Sequence, residues 1–109
     1  MKAYLKNYRQ APRKVRLVAD RMRGRVVEDV LVDLSVMSQK SAPVMKTLLE
    51  SAVANARQKD TSLSPETLIV SRIMVDEGIT YRRHMPRAFG RAAPIKRACS
   101  HITLELSAR

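Results

Sequence analysis

Aromatic side chains are scarce in this sequence: Tyr4, Tyr8, Tyr81 and Phe89 are the whole complement, and tryptophan is absent. A core made from such material is aliphatic and methionine-filled, and the flat platforms that sugars stack against are poorly supplied. The lone cysteine, Cys99, has no partner for an internal disulfide, which fits a reducing, intracellular compartment. No apolar run approaches the ~20 residues of a membrane span. Charge returns at Lys6 before any long apolar stretch begins, so Met1 to Lys6 does not read as a secretory signal and a cytoplasmic protein is expected. Acid is the remaining shortage: 10 Asp and Glu stand against 21 Lys and Arg, and none lies between residues 78 and 104.

What is present is a chain of 109 residues, 45% of them hydrophobic, enough for one modest core and a single domain, 1–109. The formal net charge of +11 is unevenly spread. Residues 1–25 hold nine cations against Asp20, a net of +8. Residues 26–77 hold five cations and eight acids, a net of −3, and residues 78–104 hold six cations and no acid. Two basic zones therefore flank a mildly acidic middle that supplies the core. A short basic run is ordinarily just a solvated face. Twenty-seven consecutive residues without a carboxylate are harder to dismiss, because their self-repulsion burdens the fold unless a polyanion relieves it. Nucleic acid is the expected partner, ahead of an anionic membrane surface.

Residues 1–8 read as a short strand, and Pro12 suits a first helical turn, where its missing amide costs nothing. In the helix predicted over 13–23, Val15, Val18, Ala19 and Met22 fall within about 100° of arc, and Arg13, Lys14, Arg16, Arg21 and Arg23 fall outside it. Gly24 suits a left-handed terminating position. A second helix over 27–37 turns Val27, Val30, Leu31 and Leu34 inward and Glu28, Asp29 and Asp33 outward. Ser41 is expected to N-cap a third helix, in which Val44, Met45, Leu48, Leu49, Ala52, Val53 and Ala56 recur at helical spacing. Residues 67–77 are dense in branched aliphatics and read as a strand, and residues 101–106 alternate with Ile102, Leu104 and Leu106 on one face. The fold class expected is α+β: three helices packed on a small three-stranded antiparallel sheet, with two strands extended into a long protruding β-hairpin.

That hairpin would occupy residues 79–100, leaving a body of 1–78 and 101–109. Few of its residues are apolar and none of its cations has an acidic neighbour, so it must project. Eleven extended residues per side reach on the order of 35 Å at about 3.4 Å each. Pro86, Gly90 and Pro94 favour a turn near its middle and oppose continued ladder pairing there.

Several motifs, in one order, carry a resemblance over nearly the whole chain. Val75-Asp76-Glu77-Gly78 is followed by Met85-Pro86-Arg87-Ala88, Gly90-Arg91-Ala92, Lys96-Arg97 and Ser100-His101-Ile102-Thr103. Earlier come Pro12 to Asp20, Arg23-Gly24, Leu49-Glu50-Ser51-Ala52 and Ala54-Asn55-Ala56. In these the sequence resembles the bacterial large-subunit ribosomal protein L-twenty-two family. The resemblance implies a small body on large-subunit ribosomal RNA (23S type) near the outer mouth of the nascent-peptide tunnel. It also implies a hairpin that lines the tunnel wall, aids subunit assembly and places Pro86, Arg87, Ala88, Phe89, Gly90, Arg91 and Ala92 at its narrow part. The implied partners are that RNA, neighbouring large-subunit proteins and the passing nascent peptide, with the chain a monomer in the ribosome. The sequence departs from the family pattern at Phe89, at Ala93-Pro94, at Cys99 and at Ala11, where a capping serine is common.

RNA contacts are expected from Arg9, Arg13, Lys14, Arg16, Arg82, Arg83, His84, Arg87, Arg91, Lys96, Arg97, Ser100 and His101, the guanidinium forks matching phosphate oxygens in pairs. Phe89 either stacks on a base or fills the turn; Tyr81 is expected to pack at the base of the arm. The alternative from another class is a dimeric architectural DNA-binding protein with basic β-arms. Catalysis is not expected. His84 and His101 lie seventeen positions apart, Cys99 and His101 are too few for a zinc site, and no cofactor or metal is implied.

Overall fold

The computed structural model describes residues 2–86 and 92–108, with side chains throughout except at residues 79, 81–86 and 92–97. Three strands, β1 (Lys2–Tyr8), β2 (Leu68–Pro86) and β3 (Ala92–Ala108), and three helices, α1 (Pro12–Met22), α2 (Val27–Val36) and α3 (Ala42–Lys59), make up the described chain. The sheet order is β1-β3-β2, with both pairs antiparallel, so β3 is central. The three helices cover one face of this sheet, and the α+β class and protruding hairpin expected from the sequence are both observed.

Helix α1 begins where Pro12 fixes the backbone. Ala11 supplies an extended N-cap without a capping side chain. Val15, Val18, Ala19 and Met22 are all buried, as the wheel predicts. Gly24 has φ +77°, the left-handed conformation expected of it, yet its N–H leaves the helix and donates to Val70 O at 2.8 Å. Val70 N returns a bond to Arg25 O at 2.9 Å, and Val26 bridges Ile69. The α1–α2 link thereby covers part of the outer edge of β2, a device against stray strand pairing.

On α2, Val27, Val30 and Leu34 are buried and Leu31 partly so. On α3, Met45, Leu48, Leu49, Ala52, Val53 and Ala56 are buried, while Val44 is only partly so. Ser41 does not cap this helix as expected. Its backbone is already helical, at φ −81° and ψ −10°, and its buried hydroxyl bonds to nothing among the described residues.

In β2 the inward set shifts phase, from Leu68 and Val70 to Ile73 and Val75, because a bulge intervenes between Val70 and Arg72. Ser71, the extra residue, donates its hydroxyl to Glu105 O at 3.1 Å. The β3 alternation is as expected, with Ile102, Leu104 and Leu106 in the core.

Beyond the body, β2 and β3 continue as a two-stranded ladder from Thr80↔Ala98 to Pro86↔Ala92. The prolines do not interrupt it: His84 pairs with Pro94, and Pro86 with Ala92. In a two-stranded ribbon every second residue turns its N–H to an open edge, and a proline there removes no ladder bond. The molecule measures 65 × 25 × 17 Å, and its radius of gyration of 17.1 Å exceeds the about 13 Å of a compact chain this long.

Candidate nucleic-acid interface

The body uses some cations internally and leaves others free. Arg16 Nη2 donates to Val75 O at 2.9 Å, and Arg23 Nη2 to Ile73 O at 3.1 Å. These are outward carbonyls of β2, two residues apart, so helix α1 braces the strand that becomes the arm. Arg23 also pairs with Asp20 at 2.8 Å, and Arg25 with Asp33. Arg9, Arg13 and Lys14 are exposed, and their side chains make no hydrogen bond or ion pair among the described residues. Of these, Arg13 and Lys14 stand at the N-terminal end of α1, where the helix dipole adds to their positive field, while Arg21, likewise exposed, lies in its last turn. The sequence did not separate Arg16 and Arg23 from the rest, because a bracing arginine and a phosphate-binding one look alike until the strand edge is in place.

The arm leaves the body through a tightly built neck. Strand β1 has an irregularity between Leu5 and Tyr8, where Asn7 takes φ +59°. Asparagine tolerates this left-handed conformation better than most residues. Its freed N–H donates to Nδ1 of His101 at 3.1 Å, so that nitrogen is an acceptor and the imidazole proton sits on Nε2. A β-carbon on Gly78 would lie 3.1 Å from that Nε2 and 3.2 Å from Cys99 O. A second irregularity, in β2 between Glu77 and Thr80, falls opposite the same stretch of β3. Ser100 is fully buried, and its hydroxyl donates to Gln10 O at 2.7 Å.

Two expected contacts change accordingly. Ser100 is removed from the RNA-facing set, because its side chain is enclosed and its donor is used. His101, expected to donate to RNA or backbone, instead accepts a backbone proton, and only its Nε2 side keeps a proton to give.

Along the arm, the register sets Arg82 directly opposite Lys96, with Tyr81 opposite Arg97 and Arg83 opposite Ile95. Like charges at directly paired positions destabilise a ladder. The expected contacts at Arg87, Ala88, Phe89, Gly90 and Arg91 lie outside the described residues, as do the side chains of Tyr81, Arg82, Arg83, His84, Pro86, Ala92, Lys96 and Arg97. Among the described residues, ion pairs join Lys2 to Glu105, Arg23 to Asp20 and Arg25 to Asp33. With 21 Lys and Arg against 10 Asp and Glu, the chain carries positive charge that its own carboxylates do not balance and that an anionic setting would relieve.

Comparison with known proteins identifies that setting. The profile of the family described as ribosomal protein L22p/L17e matches residues 3–107. The chain belongs to this family. It is 47% identical over 103 residues to the large ribosomal subunit protein uL22 of Herpetosiphon aurantiacus, covering 94% of this chain and 90% of that one. The uL22 of Pelobacter propionicus is 46% identical over 105 residues, covering 96% and 94%, and that of Rubrobacter xylanophilus 43% over 108 residues, covering 99% and 84%. Membership makes this a structural, non-catalytic ribosomal protein and sets aside the architectural DNA-binding alternative. Family motifs acquire local reasons: Arg23 and Gly24 secure the β2 edge, Asn55 Nδ2 donates to Lys2 O at 2.8 Å, and Gly78 makes room for His101.

Proposed function

We propose that this chain, as a structural, rRNA-binding protein of the large ribosomal subunit, seats its body (1–78 and 101–109) through α1. The arm (79–100) then threads between RNA segments to line the nascent-peptide tunnel. The observation that carries this reading is a 65 Å molecule whose projecting ladder contains no carboxylate and sets Arg82 against Lys96. A polyanion on either side of such a ribbon converts repulsion into attraction. Arg9, Arg13 and Lys14 on the body, Arg16 through the guanidinium donors that Val75 O does not take, and Arg82, Arg83, His84, Arg87, Arg91, Lys96 and Arg97 along the arm supply the contacts. His101 Nε2 adds a donor at the neck. Readout is of RNA shape and phosphate rather than base edges, given so few aromatics. Residues 86–92 form the tip against which the nascent peptide passes.

The test is photocrosslinking in purified ribosomes from a reactive residue at position 89, with a second at position 14. Crosslinks from 89 to a stalled nascent chain or to tunnel-wall RNA, and from 14 to large-subunit RNA, are expected. Crosslinks from 89 only to the outer surface of the subunit would overturn the tunnel placement.

A further inference from the structure

Helix α2 is built unlike α1. Between Val27 and Val36 it carries no cation, in a chain of net charge +11. Glu28 and Asp29 in its first turn are exposed, which the helix dipole favours and which by itself calls for no partner. The dipole does not account for the two valines further along the same side. Val32 is 61% and Val36 78% exposed, one turn apart. Both are β-branched residues that a solvated helix surface does not favour. The inward positions Val27, Val30 and Leu34 already fill the contact with α3 and β2. Beyond Val36, a groove of about 400 Å³ runs along Arg21, Asp33, Met37, Ser38 and Gln39. The outer face of α2 thus reads, from N- to C-terminus, as two acids, two valines and a groove.

We propose that this face docks a neighbouring ribosomal protein through a basic segment with an apolar stripe, its cations on Glu28 and Asp29 and its apolar residues on Val32 and Val36. Charge complementarity selects the occupant. Phosphate is repelled by an acidic face and gains nothing from valines, whereas the proteins of an RNA-rich particle are basic and have few other acidic surfaces to meet. The inference rests on the proposed seating of α1 on RNA, since that seating leaves α2 available to a protein.

A photoreactive residue at position 36 in assembled large subunits tests it, with position 14 as the internal reference. Crosslinks from 36 to a ribosomal protein, mapped by mass spectrometry to a segment rich in Lys or Arg, are expected. Crosslinks from 36 to RNA, or to no macromolecule while 14 still reaches RNA, would overturn the docking face alone. Loss of the RNA crosslink from 14 would overturn the seating instead. The double substitution Val32→Ser with Val36→Ser, at positions outside the core, should leave the melting temperature of the free protein within a few degrees. It should lower the yield of the crosslink from position 28 to that same protein at least about fivefold; an unchanged yield would count against the valines as its anchor.

Discussion

The body and the arm of this molecule obey opposite rules. In the body, aliphatic side chains close a core against three helices, and Arg16, Arg23 and Arg25 are spent on carbonyls and carboxylates of the chain itself. In the arm, β2 and β3 pair with each other, and Arg82 stands directly opposite Lys96 across the ladder. An isolated two-stranded hairpin is marginal in water even without such repulsion. Stability is therefore expected to reside in the body, and binding to add most to the order of the arm. Substitutions should separate the two cleanly. Leu104→Ala, at a fully buried position of the central strand, should cost about 2–5 kcal/mol in denaturant unfolding of the free protein. Replacing Arg83 and Arg97 together by alanine should change that stability by no more than ~0.5 kcal/mol. The pair should instead flatten the log-log salt dependence of RNA binding by roughly 1.4, about 0.7 for each lost single-strand phosphate contact. A large stability loss from the arginine pair would erase the distinction.

The neck is where the two regimes meet, and Gly78 tests how sharply. A β-carbon there meets the Cys99 carbonyl at 3.2 Å, and backbone cannot swing aside as a flexible side-chain tip can. Gly78→Ala should therefore destabilise the free protein by about 1–3 kcal/mol, the range for forcing atoms into a filled space. Ser100→Ala, which removes from a buried residue the hydroxyl that donates to Gln10 O, should cost a similar or smaller amount, about 1–2 kcal/mol. Amide exchange gives the complementary view. Protection at residues 102–104 should approach the global value and fall steeply at 80–86 and 92–98. Uniform protection across the neck would show that the arm shares the stability of the body.

The body was the more legible region, because burial leaves a periodic trace. Val15, Val18, Ala19 and Met22, or Ile102, Leu104 and Leu106, announce their faces by spacing alone. Where the trace broke, a backbone irregularity was responsible: the bulge at Ser71 moved β2 from one inward phase to the other. Ser41 failed as a cap because its own backbone is already helical, which a side-chain preference does not reveal. The arm was legible through charge rather than periodicity, since only an absence of acid marked it. The neck was nearly silent. Asn7, Gly78, Ser100 and His101 come from three separate segments, and no local pattern announces that they converge.

Surface ion chemistry should contribute least to the contrast, and its signs are fixed. Lys2 hydrogen-bonds Glu105 at 3.1 Å, which holds its ammonium above the ordinary lysine range. The stability this pair adds is fully present below the ordinary lysine value and is lost as pH rises through the raised one. Asp60 accepts from the Ser62 hydroxyl and N–H, which hold its carboxyl below the usual carboxylate range. Its contribution is present above that usual range and is lost as pH falls through the lowered value. Both groups are exposed, so the melting temperature should be flat around neutrality, with a small decline at each extreme. Lys2→Met should remove only the alkaline decline and Asp60→Ala only part of the acid one. Neither should alter RNA affinity at neutral pH by more than about twofold, because one cation at the sheet edge opposite β2 adds little to the field of α1 and the arm.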